Sequence, residues 1–220
     1  MRSHNQFGLA LLAVYAGLYM WLTPGLYEGR LTTAELDSYL ADIDRGLSFM
    51  PAEDRKADLE RLRAWGADDD GKPVYMLNLM RTYASLHKSA ALENFSGTPS
   101  DANAYYEGKA FALLFKNGDY PIYGGTPQGS NLFGHEPDAD NWGRVLLVRY
   151  GDRRHFLQLI ANPAYAPIAP YKFAAEQLDL VPTGAELVVS DLRILIAALF
   201  LGLYVIAGWI SAARDRRRMG

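Results

Sequence analysis

Trp142-Gly143-Arg144-Val145-Leu146-Leu147-Val148-Arg149-Tyr150, then Gly151-Asp152, then Arg153 through Ala161 up to Asn162-Pro163, is the stretch that decides the fold. Apart from Gly143, Arg144 and Arg149, aliphatic and aromatic residues fill it from Trp142 to Tyr150, and a glycine turn ends it, which predicts a strand. Gly151-Asp152 opens a helix, and Asn162-Pro163 breaks it because proline lacks the N–H a helix interior needs. A second helical piece carries Ile168, Tyr171, Ala174 and Ala175, and Leu178-Asp179-Leu180-Val181 reads as a closing strand.

On the N-terminal side the same grammar appears once more. Val74 to Met80 is short, apolar on both faces and bounded by turn residues, as a buried central strand is. A polar connection leads to Asp101, which is placed to cap a helix through Asn117, with Tyr106, Ala110, Leu113 and Leu114 on its inner stripe. Tyr120-Pro121-Ile122-Tyr123 then forms a strand ended by Gly124-Gly125. The order is β-α-β-β-α-β, the ferredoxin-like arrangement, and the fold class is α+β.

Two helices precede this unit. Thr32 or Thr33 can cap the first, with Leu36, Leu40 and Ile43/Leu47 at helical spacing. Pro51 opens the second, Glu53 and Asp54 sit in its first turn, Leu59, Leu62 and Trp65 form its apolar stripe, and Gly66 marks its stop. Asp68-Asp69-Asp70 lacks the alternate spacing of a calcium loop and reads as a solvated turn.

Uncharged apolar runs flank everything: Phe7 to Leu22, and Ile194 to Ile210 with 17 residues and no charge. Each approaches the roughly 20 residues that cross a bilayer, the second lengthened by Leu192 beside a snorkelling Arg193. A cleaved signal peptide is the alternative reading of the first run. The tail Arg214-Asp215-Arg216-Arg217-Arg218 follows the second run directly and, by the positive-inside rule, predicts a two-pass chain. Both termini are then cytoplasmic, the central domain is periplasmic or extracellular, and the arginines meet lipid headgroups. The expected organisation is 1–30 as the first anchor, 31–72 as a helical hairpin, 73–189 as the ferredoxin-like domain, and 190–220 as the second span with its basic tail.

Composition narrows the chemistry. The 220 residues carry a net charge of −3 and no cysteine. Disulfides, thiol nucleophiles, iron–sulfur clusters and cysteine-ligated zinc are thereby excluded. His4, His87, His135 and His155 form no paired ligand motif, so no metal centre is assigned. The loop His135-Glu136-Pro137-Asp138-Ala139-Asp140 gathers donors for a divalent ion but reads as a solvated loop. Gly124 to Gly129 lacks the lysine of a phosphate loop, and nothing points to nucleic acid.

Several residues from this pattern resemble a known family. Tyr75-Met76-Leu77-Asn78-Leu79, Tyr105-Tyr106, Gly124-Gly125, Trp142 opening a strand, Phe156 ahead of Asn162-Pro163-Ala164-Tyr165, and Ala174-Ala175 look like the domain-of-unknown-function family numbered thirteen-thirty, in the dimeric α/β-barrel superfamily. The likeness covers roughly Pro73 to Thr183. It implies two four-stranded sheets packed face to face in a homodimer, helices outside, and a pocket in each protomer. The superfamily includes cofactor-independent monooxygenases, muconolactone-type isomerases and haem enzymes, and fold does not fix which chemistry applies.

The polar and aromatic residues that interrupt the strands are the candidate ligand-binding set: Asn78, Tyr123, Trp142, Arg144 and His155. Asn78 in mid-strand must either hydrogen-bond backbone or face a ligand. Arg144 shares a face with Leu146 and Val148 and needs a carboxylate or an anionic ligand. Tyr123 and Trp142 offer apolar area with a polar handle, and His155 is the acid–base candidate. Two readings of function follow. One is a membrane-anchored extracytoplasmic domain that binds a small apolar or aromatic compound, extending to a cofactor-independent enzyme. The other is an accessory or assembly subunit of a larger membrane complex, joined through Ala198-x-x-x-Gly202 and the small residues Gly8, Ala13 and Gly17.

Overall fold

The computed structural model describes residues 2–87, 89–130, 132–133, 141–188 and 191–219. The chain forms two compact units: Met1–Pro24 with Glu186–Gly220, and Gly25–Ala185. The histidine-containing acidic loop 135–140 lies outside the described residues.

In the first unit, α1 (Arg2–Trp21) and α8 (Leu192–Met219) run antiparallel. His4 stacks on Tyr204 with ring centroids 4.3 Å apart, and Tyr15 meets Phe200 edge-on at 6.4 Å. Gly8 permits this approach, since a Cβ there would stand 2.7 Å from the Tyr204 ring. Asp191 caps α8 by accepting the Arg193 N–H at 2.8 Å. The Arg193 side chain has partners at this helix end: its Nε donates to Asp191 Oδ1 at 2.9 Å, and its guanidinium donates to Thr23 Oγ1 at 3.3 Å.

The expectation of two spanning helices needs correction. Among the described residues one helix, over Leu192–Arg214 with 23 residues, is long and apolar enough to cross a membrane. The 20 residues of α1 begin with Arg2-Ser3-His4-Asn5-Gln6, so its apolar part from Phe7 to Trp21 extends only about 22 Å at 1.5 Å per residue, short of the roughly 30 Å hydrocarbon core.

The second unit holds α2 (Gly25–Glu28), α3 (Thr33–Gly46), α4 (Ala52–Ala67), β1 (Val74–Thr82), α5 (Pro99–Lys116), β2 (Tyr120–Gly125), β3 (Arg144–Tyr150), α6 (Arg153–Ala161), α7 (Ala169–Ala175) and β4 (Glu176–Thr183). All strand pairs are antiparallel, in the order β2-β3-β1-β4, as a ferredoxin-like β-α-β-β-α-β chain requires. Thr32 caps α3 in a reciprocal pair with Glu35, and the Thr32 hydrogen bonds hold the Glu35 carboxyl down to about 2. Asp101 is not the cap of α5. Thr98 is, with Pro99 at the first helical position and Asp101 completing the reciprocal pair three residues on.

Side-chain alternation sorts the sheet into two faces. Met76, Asn78 and Met80 stand opposite Val148, Leu146 and Arg144 of β3, and opposite Pro182, Leu180 and Leu178 of β4. On this face Met76, Met80, Leu146 and Val148 join Ala110, Leu114, Phe156 and Leu157 in the core beneath the helices. The other face carries Leu77, Leu79, Val145 and Leu147, all half-buried, with Tyr123 59% and Val181 42% exposed.

The N-terminal helical pair is packed onto α6. Leu36, Leu40 and Ile43 belong to the main core. Trp65 meets Phe156 edge-on at 5.5 Å, and Gly66 lies inside α4, where a Cβ would come within 2.7 Å of Leu36 and 3.4 Å of Leu157. Gly66 therefore serves close helix packing, where sequence alone suggested a stop. Arg154, 4% exposed, ties the lead-in to α6 by donating to the carbonyls of Gly29 and Arg30, each at 3.1 Å. Asp69 is buried, contrary to the solvated reading, because it accepts the Leu31 N–H at 2.7 Å.

Candidate functional site

A cavity of about 700 Å³ opens between the helix-facing side of the sheet and α5, α6 and α7, with Leu62 and Trp65 of α4 on its wall. That volume suits a small organic molecule. Met76, Leu146 and Val148 lie on the sheet side, and Ala110, Leu114 and Phe156 on the helix side. The strands supply apolar residues at every second position, and the helices at the spacing of one face, so the lining follows directly from the periodicities.

Charged side chains also reach this lining: Asp58 and Arg61 from α4, Glu107 from α5, Lys172 from α7 and Asp179 from β4. Asn78 is held by its own amide: Nδ2 donates to the Met76 carbonyl at 2.9 Å and to the Leu146 carbonyl at 3.2 Å. With both donor hydrogens used, the amide has its Oδ1 acceptor to offer a ligand. Tyr106 and Tyr165 join hydroxyl to hydroxyl at 3.2 Å, and burial raises both phenols above their ordinary value, so they stay protonated donors. Lys172, 4% exposed, pairs with Glu176, also 4% exposed, and lies 5.4 Å from the Tyr106 ring. Burial pulls the Lys172 ammonium below the usual lysine value, against the opposing pull of Glu176.

The sequence-derived set is only partly brought together. Asn78 lines the cavity. Arg144 stands on the same face but pairs with Glu107, and it is the carboxylate partner that reaches the lining. Tyr123 lies on the opposite, open face, beside Leu147 in register. Trp142 precedes β3, which starts at Arg144, and has the Arg81 guanidinium 5.8 Å from its ring. His155 is buried in a separate polar cluster. Sequence reasoning missed the Lys172–Glu176 pair; its signal was an i, i+4 lysine–glutamate pair set among Ala169, Ala174 and Ala175.

The His155 cluster explains itself in charge terms. His155 Nδ1 lies 3.0 Å from Asp119 Oδ1, which also accepts the Gly151 N–H at 2.8 Å, and Asp152 caps α6 by accepting the His155 N–H at 2.9 Å. The second oxygens of both aspartates have no hydrogen-bond partner among the described residues. Burial raises both carboxyls. It opposes the imidazolium as well, but the Asp119 hydrogen bond and the nearby carboxylates outweigh it and raise His155 above 6.5. A raised folded-state value means stabilisation that is complete below the unfolded value and lost as pH rises through the folded one. The two aspartates have the same sign from lower pH. Unfolding free energy is therefore expected to fall as pH climbs above about 6.5, and Asp119→Asn is expected to flatten that slope, because the imidazole loses its hydrogen-bonded carboxylate and only Asp152 and Glu28 then oppose burial. Urea titrations at a series of pH values measure it, and an unchanged slope in the variant refutes the assignment.

No protein-family model matches this chain, and no curated protein matches it. Among solved structures, RPA0582, a protein of unknown function from Rhodopseudomonas palustris, is 20% identical with a TM-score of 0.51, the match covering 64% of this chain and 98% of that one. Its methylated form is 22% identical with a TM-score of 0.51, covering 65% and 97%. SnoaB, a cofactor-independent oxygenase from Streptomyces nogalater, is 16% identical with a TM-score of 0.34, covering 55% and 99%. The last is too distant to carry an argument, and the likeness to RPA0582 is one of fold: this chain shares with it an architecture whose activity must be argued from the cavity.

Proposed function

We propose that this chain is a membrane-anchored domain that binds a small apolar or aromatic compound in the cavity between sheet and helices. The observation that carries the reading is the cavity itself: about 700 Å³, apolar and aromatic over most of its lining, with Asn78, the Tyr106–Tyr165 pair, Glu107 and Lys172 among its polar groups. Any turnover there uses these side chains without a cofactor. Its resemblance to the family numbered thirteen-thirty belongs to this proposal. So does the topology: α8 is the anchor, the basic tail behind it is cytoplasmic, and the Gly25–Ala185 unit lies outside. Protease added to sealed right-side-out vesicles is expected to digest that unit.

A second copy covers the open sheet face, since Leu77, Leu79, Val145 and Leu147 form an apolar surface of the kind that marks association. The test uses the full chain in mild detergent. Toluene is expected to raise the melting temperature saturably, Ala110→Trp to fill the cavity and abolish the rise, and sedimentation to report a dimer. A wild-type protein without a toluene response, or an Ala110→Trp variant that keeps it, overturns the binding reading; a monomer overturns the pairing.

One observation favours the accessory-subunit reading. Added Cβ atoms at Gly17 and Gly202 would meet nothing within 4 Å, so these small residues are not consumed by packing between α1 and α8. Gly17→Leu with Gly202→Leu is expected to release the chain from a larger assembly without altering the toluene response; an assembly that survives both refutes this reading.

A further inference from the structure

We propose that Lys172 is a nucleophilic amine that condenses with the carbonyl group of a small apolar or aromatic aldehyde or ketone held in the cavity. This rests on the cavity being a binding site and names the substrate class and the atom that meets it. Lys172 lines the cavity and is 4% exposed, so a ligand in the cavity meets it away from bulk water. Its Nζ is held by Glu176, by Asn103 Oδ1 at 3.3 Å and by Met80 Sδ at 2.9 Å. A thioether is a weak acceptor, so one of the three N–H groups is poorly satisfied. An apolar setting that disfavours the ammonium is what makes a lysine a carbonyl-reactive amine. The other cation on this face, Arg144, cannot serve, because a guanidinium does not give up its proton.

Glu176 completes the chemistry. It takes a proton from the Lys172 ammonium, and the freed amine adds to the carbonyl carbon as the C=O π bond breaks; one N–H proton then passes to the oxygen, giving a carbinolamine. Glu176 returns the proton to the carbinolamine hydroxyl, which leaves as water while the C=N bond forms. The product is a protonated imine on Lys172, with Glu176 ionised again; one water is released and no oxidant or reductant is consumed. The Tyr106 ring, 5.4 Å from Nζ, faces the cation in both states.

The test treats the full chain in mild detergent with benzaldehyde and sodium cyanoborohydride at neutral pH, and maps the reduced adduct by peptide mass spectrometry. The benzyl adduct is expected to be most abundant on Lys172, ahead of each of the exposed Lys56, Lys72, Lys109 and Lys116, since the cavity holds the aldehyde against its amine. Toluene should suppress it. Lys172→Arg should lose the adduct. Adducts confined to exposed lysines in a protein that still responds to toluene overturn the amine proposal and leave the binding site standing. No Lys172 adduct together with no toluene response overturns both. If Lys172→Arg fails to fold, the wild-type adduct map decides alone.

Discussion

Glu176→Gln is expected to cost about 3–5 kcal/mol of folding stability, the usual result of removing one partner from a buried ion pair. For a unit of this size that lowers the melting temperature by roughly 6–20 °C. Lys172 and Glu176 are each 4% exposed, one near the end of α7 and the other opening β4, so water cannot replace the lost carboxylate. What remains in contact with Nζ is an amide oxygen, a thioether and an aromatic face, none able to neutralise a full charge, and the Glu107 carboxylate acts only from beyond ion-pair distance and is paired with Arg144. The lysine must stay charged at that cost or give up its proton. Replacing both partners, Lys172→Met with Glu176→Leu, is expected to recover most of the loss, because both desolvation penalties disappear with the charges. Thermal and urea unfolding of the three proteins measure it. A loss below about 1 kcal/mol in Glu176→Gln, the size of an exposed pair, refutes the claim that this pair is functionally dry.

Ile43→Ala is expected to destabilise the whole Gly25–Ala185 unit by about 2–5 kcal/mol, in one cooperative transition. Ile43 is 0% exposed on α3 and belongs to the same core as Met76, Val148 and Leu157. Removing its branched side chain leaves a void that its neighbours, held by α6 on one side and α4 on the other, cannot close fully. Were the helical pair an appendage, the variant would melt in two steps with the sheet transition unmoved. Far-ultraviolet circular dichroism together with Trp65 fluorescence separates these outcomes. The same substitution should weaken toluene binding, since α4 holds Leu62 and Trp65 on the cavity wall.

Local grammar made most of the elements legible. Helical spacing located α3, α4 and α5, the apolar run located β1, and the turn residues around Tyr120–Gly125 and Tyr150 bounded β2 and β3, because each signal is written within a few neighbouring residues. Boundaries moved where a cap is shared: Thr98 and Asp101 satisfy each other's backbone donors, and the sequence does not say which of the two stands outside the helix.

The site followed a different logic. Asn78 was legible, since a polar residue in an apolar strand must find partners. Tyr123 was not, because the β2–β3 register shifts between Pro121 and Tyr123, and a one-residue slip moves a side chain to the other face. His155 and Asp119, 36 positions apart, meet only after β2 and β3 pair. Lys172 meets Asn103, 69 positions away, and Met80, 92 away, only when α5 and α7 lie together over the sheet.

By itself the sequence determined the order of elements, the two apolar runs and the absence of thiol chemistry, all properties of composition and short-range periodicity. Only the tertiary structure decided which polar residues share the cavity and which of them are already spent on one another. Those depend on register and burial, which arise from packing between segments far apart in the chain.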